Sequence, residues 1–253
     1  MGFLPIGDDN SMRQSTPVMV YAIIAINVAV YLLQLKRGEP FTNGFSTVPW
    51  EITHGSDLIG DKTISVGDHT AIIHHYPGPS PIYLTLLTSM FMHGSPMHII
   101  GNMLYLWIFG DQIEDLVGKV RFVIFYLLCG LAASAAQIAA DPNSIIPNLG
   151  ASGAIAGVLG AYLVKYPTNN VRVIVMRTLT SLPAFIVLGS WFGLQVLEQV
   201  NSRYAGAQGG VAYMAHIGGF ISGIVLVFLF SGLRTTPLGA RSEQDAPPDQ
   251  RWR

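Results

Sequence analysis

Charge is scarce in this sequence: Asp, Glu, Lys and Arg make up 11% of its 253 residues, against about a quarter in an ordinary soluble domain. That deficit excludes a well-solvated globular surface. Its counterpart, a 50% hydrophobic content with a mean hydropathy of +0.43, points to a membrane. Lys/Arg clusters are also missing and the net charge is −1, which argues against nucleic acid as a partner. Cysteine occurs once, at Cys129 inside an apolar run, so no intramolecular disulfide can form and a packing role is expected. The stretch Met1 to Pro17 holds Asp8, Asp9 and Arg13 and lacks a basic segment followed by an apolar run and cleavage site. No signal peptide is therefore expected, and the first apolar span should insert uncleaved.

What is present is a series of apolar runs. Hydropathy and turn residues predict six transmembrane helices, over about Val18–Leu35, Pro96–Phe109, Phe122–Ala140, Ala151–Tyr166, Leu179–Leu197 and Val211–Leu233. The fold class expected is all-α, a polytopic six-helix membrane bundle. Residues 1–17 read as a cytoplasmic N-terminal segment, 18–233 as the helical domain and 234–253, with Pro247-Pro248, as a disordered cytoplasmic tail. Residues 36–81 are too long for a turn and read as a large external loop, with room for a short interfacial helix. Gly110 to Arg121 reads as a short polar connection around Gly118, and Lys165 to Arg177 as a second, basic one.

Orientation follows from counting basic residues by side. With the N-terminus inside, the inner set is Arg13, Lys119, Arg121, Lys165, Arg172, Arg177, Arg234, Arg241, Arg251 and Arg253. The outer set is Lys36, Arg37, Lys62 and Arg203. The excess favours both termini in the cytoplasm.

In that arrangement helices two, four and six all start at the outer face, and the polar residues near their starts share one depth. Helix two begins with His98 and Asn102 on one face, helix four with Ser152, and helix six carries His216 about five residues in. Ser152 opens an apolar helix after a loop containing Pro147, where free backbone N–H groups can stabilise an anion. Ala156 and Gly160 follow at intervals of four, a small-residue face on which another helix could approach closely. Gly219 and Gly223 form a similar stripe below His216. Two close-packing faces, one with Ser and one with His, suggest a Ser–His pair. A serine hydroxyl becomes a good nucleophile when an imidazole takes its proton, and the developing oxyanion needs fixed donors. His98, Asn102 and the Ser152 N–H are suitable. Asp and Glu are absent near these helix starts, so a dyad is expected, with the imidazole oriented by packing.

Plainer readings exist for each residue. A Ser beside glycines in a membrane helix commonly packs or bonds back to its own chain. An intramembrane His can donate a hydrogen bond between helices. His93 and His98 with His216 as metal ligands is a further reading, disfavoured because a spacing of five is not a one-face pair and no carboxylate joins them. His54, His69, His74 and His75 lie in the long loop and read as solvated. No cofactor and no metal are expected.

Taken together, these residues resemble the rhomboid family of intramembrane serine proteases. The matching pieces are Gly150-Ala-Ser152-Gly153, His93-x4-His98-x3-Asn102, Ala215-His216-x-x-Gly219-x-x-x-Gly223 and the six-span layout, covering about Val18 to Leu233. The resemblance implies Ser152 as nucleophile, His216 as general base, and His98 and Asn102 with the Ser152 amide as oxyanion stabilisers. Gly153, Gly219 and Gly223 would pack the helices at the site. It implies as substrates transmembrane segments of single-pass or other membrane proteins, unwound locally and cut near the outer surface after a small residue. It also implies a lateral entry between helices two and five, which here would involve Trp191 and Phe192, residues that serve equally as lipid-facing bulk. Three departures stand out. Many relatives carry Tyr four residues after the nucleophile, where this chain has Ala156. The long loop lacks the Trp-Arg pair of some relatives, and no extra cytoplasmic domain or seventh span is read, which fits a bacterial-type cell membrane protein.

Two rivals differ in class. One is a catalytically silent relative that binds transmembrane clients, which loss of Ser152 or His216 would indicate. The other is a small transporter, whose interrupted helices in an internal repeat are not found.

Overall fold

The computed structural model describes residues 3–11, 13–66, 69–204 and 211–231. The chain runs β1 (Leu4–Asp8), α1 (Val18–Arg37), α2 (Glu39–Gly44), α3 (Pro49–His54), β2 (Gly60–Val66), β3 (His69–His75), α4 (Thr85–Thr88, flanked by 3-10 turns), α5 (Pro96–Val117), α6 (Lys119–Ala140), α7 (Ser152–Lys165), β4 (Asn170–Val175), β5 (Thr178–Pro183), α8 (Ala184–Tyr204) and α9 (Tyr213–Ser231). The molecule is mostly helical, and α1, α6 and α9 are each long and apolar enough to cross a membrane. The short helix α7, of 14 residues, is the axis of the bundle. Every residue from Gly153 to Tyr162 is buried, as expected of a helix apolar on all sides.

Three glycines of α7 allow its neighbours to come in. Gly153 faces Ala133 and Gly219, Gly157 faces Cys129 and Gly223, and Gly160 faces the backbone of Phe220. Cys129 is a buried free thiol in this contact. The contacting face is therefore Gly153, Gly157 and Gly160, one position around from the Ser152, Ala156 and Gly160 face expected. The partner stripe, Gly219 and Gly223, is as expected. Aromatic bulk fills the other side, where Phe109 meets Tyr162 edge to face with ring centres 5.0 Å apart.

Where the sequence indicated a polar connection from Gly110 to Arg121, α5 instead continues to Val117, and the connection to α6 is Gly118 alone, at φ 88°. A left-handed φ there suits glycine. The acidic residues that looked like a turn, Asp111, Glu114 and Asp115, bind the segment before α1. Arg13 Nη1 donates to Asp111 at 2.7 Å, Ser15 to Asp115 at 2.5 Å, and the Met19 and Val20 N–H groups donate to Glu114 at 3.1 and 2.8 Å. Pro17 cannot cap α1 with its side chain, so a carboxylate nearly a hundred residues away does so. Glu114→Ala should lower unfolding stability by about 2 kcal/mol, measured by thermal unfolding in detergent, and an unchanged midpoint would refute that role.

Among the described residues there are five short strands, in the expected N-terminal segment, the external loop, the basic connection and the start of the expected fifth span. β1 pairs antiparallel with β4, and β4 with β5 through the Val175↔Thr178 turn. Asp8 at the end of β1 is buried and accepts hydrogen bonds from Tyr162 (2.6 Å) and Gln112 (2.9 Å). Burial, reinforced by the nearby Asp111 charge, raises its carboxyl well above the usual carboxylate range. The expected fifth span, Leu179–Leu197, gives up its first residues to β5 and begins at Ala184, after Pro183. In the expected external loop, α2 and α3 lead to the β2–β3 hairpin. Glu51 on α3 is 3% exposed and accepts the Leu58 N–H at 3.0 Å. Burial lifts its pKa to about 7. A raised acid binds a proton in the fold that it has lost when unfolded. Its stabilising contribution is thus present below pH 4.5 and is lost as pH rises towards 7. Glu51→Gln should remove that component from the pH dependence of the melting temperature, and a wild-type dependence retained in the variant would contradict it. The tail 234–253 and residues 205–210 of the glycine-rich loop lie outside the described residues.

Candidate active site

The starts of α5, α7 and α9 meet: Ser152 at the start of α7 bonds His216 in the first turn of α9, and Gly150 just before α7 packs against His98 in the first turn of α5. The sequence starts α5 strongly: Ser95 accepts the His98 N–H on its hydroxyl at 3.2 Å, and Pro96 occupies the first turn. His98 is thereby fixed one turn into α5 and Asn102 one turn further. Ser152 is the first residue of α7. His216 lies in the first turn of α9, where the Ala215 N–H donates to Gln137 on α6 at 3.2 Å.

The glycine contacts bring the starts of α7 and α9 together, and His216 Nε2 lies 2.8 Å from Ser152 Oγ. On the far side of the ring, Nδ1 lies 2.7 Å from Oε1 of Gln195 on α8. The imidazole is thus held by a hydrogen bond in addition to the packing expected. Trp191, one turn before Gln195, lies over the same ring with centres 5.8 Å apart and planes tilted by 37°. Phe192 stacks on Phe220 at 4.4 Å, so both aromatics touch α9 while remaining half-exposed. Ala156, four residues after Ser152, is fully buried and offers the imidazole no ring.

His98 approaches from the other side. Its Nδ1 accepts the Gly94 N–H at 3.4 Å, which leaves Nε2 as the protonated nitrogen. A Cβ at Gly150 would lie 2.9 Å from that Nε2 and 3.5 Å from Ser152 Oγ. With φ +127° as well, glycine is required at 150 for His98 to reach the serine. Asn102 is 8% exposed, and among the described residues its Nδ2 has no hydrogen-bond partner. A buried unpaired amide donor is costly, and its presence beside a serine points to a bound acceptor.

A cavity of about 580 Å³ opens between α5, α7, α8 and α9, lined by Ser152, His216, His98 and Asn102 with apolar walls that include Met97 and Trp191. A second cavity of about 40 Å³ lies against Ser152 on the side of Ser134 and Gln137. His93 packs edge-on to His98 at 5.1 Å. Among the described residues no group of three His, Cys, Asp or Glu side chains could hold a metal ion. Gln195 and Gln137 escaped the sequence reading. Their one signal was a polar side chain inside an apolar run.

A bundle of apolar helices enclosing a hydrogen-bonded serine and histidine beside an apolar cavity defines a class: integral membrane proteins with a polar site near the ends of their helices. The chain belongs to the rhomboid family, whose Rhomboid domain matches residues 81–233. It is similar to Rhomboid protease GluP of Bacillus subtilis (strain 168), 35% identical over 213 residues, covering 83% of this chain and 34% of that protein. It is also similar to RHOMBOID-like protein 4 of Arabidopsis thaliana, 25% identical over 228 residues, 86% of this chain and 53% of that one. A third relative is Rhomboid protein 1, mitochondrial, of Saccharomyces cerevisiae (strain ATCC 204508 / S288c), 27% identical over 215 residues, 82% of this chain and 51% of that one. The chain thus spans between a third and about half the length of these relatives.

Proposed function

We propose that this chain is an intramembrane serine endopeptidase, with Ser152 as nucleophile and His216 as general base, that cleaves transmembrane segments of other membrane proteins. The observation that carries the reading is the 2.8 Å approach of His216 Nε2 to Ser152 Oγ beside a cavity with apolar walls. In the attack, the Ser152 proton passes to His216 Nε2 as Oγ bonds to the scissile carbonyl carbon. The carbonyl oxygen, now negative, takes hydrogen bonds from His98 Nε2–H, Asn102 Nδ2–H and the Ser152 N–H. His216 then gives its proton to the departing amine. A water molecule, for which the cavity beside Ser134 and Gln137 has room, attacks the acyl-enzyme with His216 again as base, and serine is released.

The setting follows the same reading. Residues 18–233 form the six-span protease domain, both termini lie in the cytoplasm, and the site opens outward in a bacterial-type cell membrane. GluP, a bacterial relative that carries the name protease, supports this assignment. A substrate helix reaches Ser152 from the lipid between α5 and α8, where the cavity walls are apolar.

Cleavage of a single-pass model substrate in liposomes tests the proposal. Wild type should cut it, and Ser152→Ala and His216→Ala should each lower the rate by about 10⁴-fold or more. A fluorophosphonate probe should label wild type and spare Ser152→Ala. If both variants cut as fast as wild type, the dyad is wrong. If wild type binds the substrate without cutting it and resists the probe, the client-binding reading replaces this one.

A further inference from the structure

A dyad without a carboxylate leaves one requirement open. For His216 Nε2 to accept the serine proton, the neutral imidazole must carry its own proton on Nδ1. A histidine with no partner prefers the opposite tautomer, with the proton on Nε2, and would offer Ser152 a donor instead of an acceptor. Within the described residues, the group that faces Nδ1 at 2.7 Å is an amide oxygen, Gln195 Oε1. Such an oxygen only accepts hydrogen bonds, so the Nδ1–H tautomer is the one that satisfies both contacts of the ring. We propose that Gln195 is the positioning residue of His216, fixing both its tautomer and its rotamer, a role that rests on the proposed protease reading.

The surroundings explain why an amide suits the position. Gln195 sits mid-way along α8, half-buried against His216, where ionising a carboxylate would carry a desolvation cost. The amide supplies an acceptor without a charge. Trp191 and Gln195 are four residues apart and so lie on one face of α8, and both meet the same imidazole, one at its face and one at its edge. Ala156 on α7 gives the ring no shelf of its own, so beside the Ser152 hydrogen bond the contacts that orient the imidazole come from α8.

The test uses the full chain in detergent micelles with ¹⁵N-labelled histidine, the His216 signals being assigned by their loss in His216→Gln. In wild type, Nδ1 should carry the proton and Nε2 should not. In Gln195→Leu the proton should move to Nε2, and kcat for the model substrate and the fluorophosphonate labelling rate should both fall about 10- to 100-fold, with KM and melting temperature unchanged. Gln195→Glu, which keeps an acceptor at the same reach, should retain the Nδ1–H tautomer and recover most of the lost rate. Gln195→Asn is one methylene too short and should behave like Leu without adding apolar surface, which covers the case in which Leu does not fold. An unchanged tautomer in Leu and Asn, or an unchanged kcat, overturns the proposal. The spectrum is read whether or not a peptide is cut. A tautomer that shifts in Gln195→Leu while the wild type hydrolyses no substrate, so that no kcat can be compared, sinks the protease reading and leaves the Gln195 contact supported.

Discussion

Gly223→Ala, a single added methyl group on the apolar helix α9, is expected to lower cleavage by about 100-fold or more. A Cβ at that position would fall 2.5 Å from the Gly157 carbonyl carbon and Cα and still closer to its oxygen. The obstruction is backbone on both sides, so no rotamer change relieves it. Overpacking usually costs about 1–3 kcal/mol, and this site should lie at the upper end. The larger effect is geometric. α9 must move away from α7, carrying His216 with it, and a displacement of about 1 Å at a reacting pair can cost about 100-fold in rate. Substrate cleavage and probe labelling should therefore both fall by about 100-fold or more, with a lower melting temperature. Gly193→Ala on α8 is the control, because a Cβ there meets nothing within 4 Å; it should leave rate and stability unchanged. A Gly223→Ala protein with wild-type turnover would show that the close approach of these helices does not set the dyad.

Asn102→Leu is expected to move activity and stability in opposite directions. The Asn102 Nδ2 is buried and among the described residues has no partner, so folding desolvates this donor without a hydrogen bond from the protein in return. Replacing the amide by an apolar side chain of similar size removes that desolvation cost, and the melting temperature should rise by the equivalent of about 1 kcal/mol. If the donor serves the oxyanion, kcat should drop by about 10²- to 10³-fold, the loss seen when a single such donor is deleted elsewhere, with little change in KM. A variant that is both less stable and fully active would remove Asn102 from the site and return it to ordinary packing.

Much of this site was legible because its parts are chemically unusual for their setting. A serine opening an apolar helix, a histidine just inside another, and small residues spaced below each are rare enough in membrane spans to be read together. The phase was harder. Ser152, Ala156 and Gly160 form a plausible face, but α9 settles on Gly153, Gly157 and Gly160, since glycines admit a backbone where alanine does not. The misread ends of the helices share a physical reason. Asp111, Glu114 and Asp115 resemble a turn locally, yet they continue α5 because Arg13, Ser15 and the start of α1 bind them, and no local window contains those partners. β1 and β4 pair across more than 160 residues and were invisible for the same reason. The β2–β3 hairpin was not: Thr63, Ile64, Ile72 and Ile73 are good strand formers, outweighed in the reading by the surrounding Gly and Pro. Gln195 had a signal, an amide within an apolar run, but nothing in sequence says which imidazole edge it meets.

The helix that walls the cavity with Trp191 is also the helix that holds the far edge of His216. On the proposed protease reading, an apolar compound wedged beside that tryptophan, pushing α8 outward, would silence cleavage from a distance, without bonding to the serine or resembling a peptide. Selectivity for such a wedge would then be decided by the lipid-side contour of α8, a surface on which membrane proteins with the same reactive pair are free to differ.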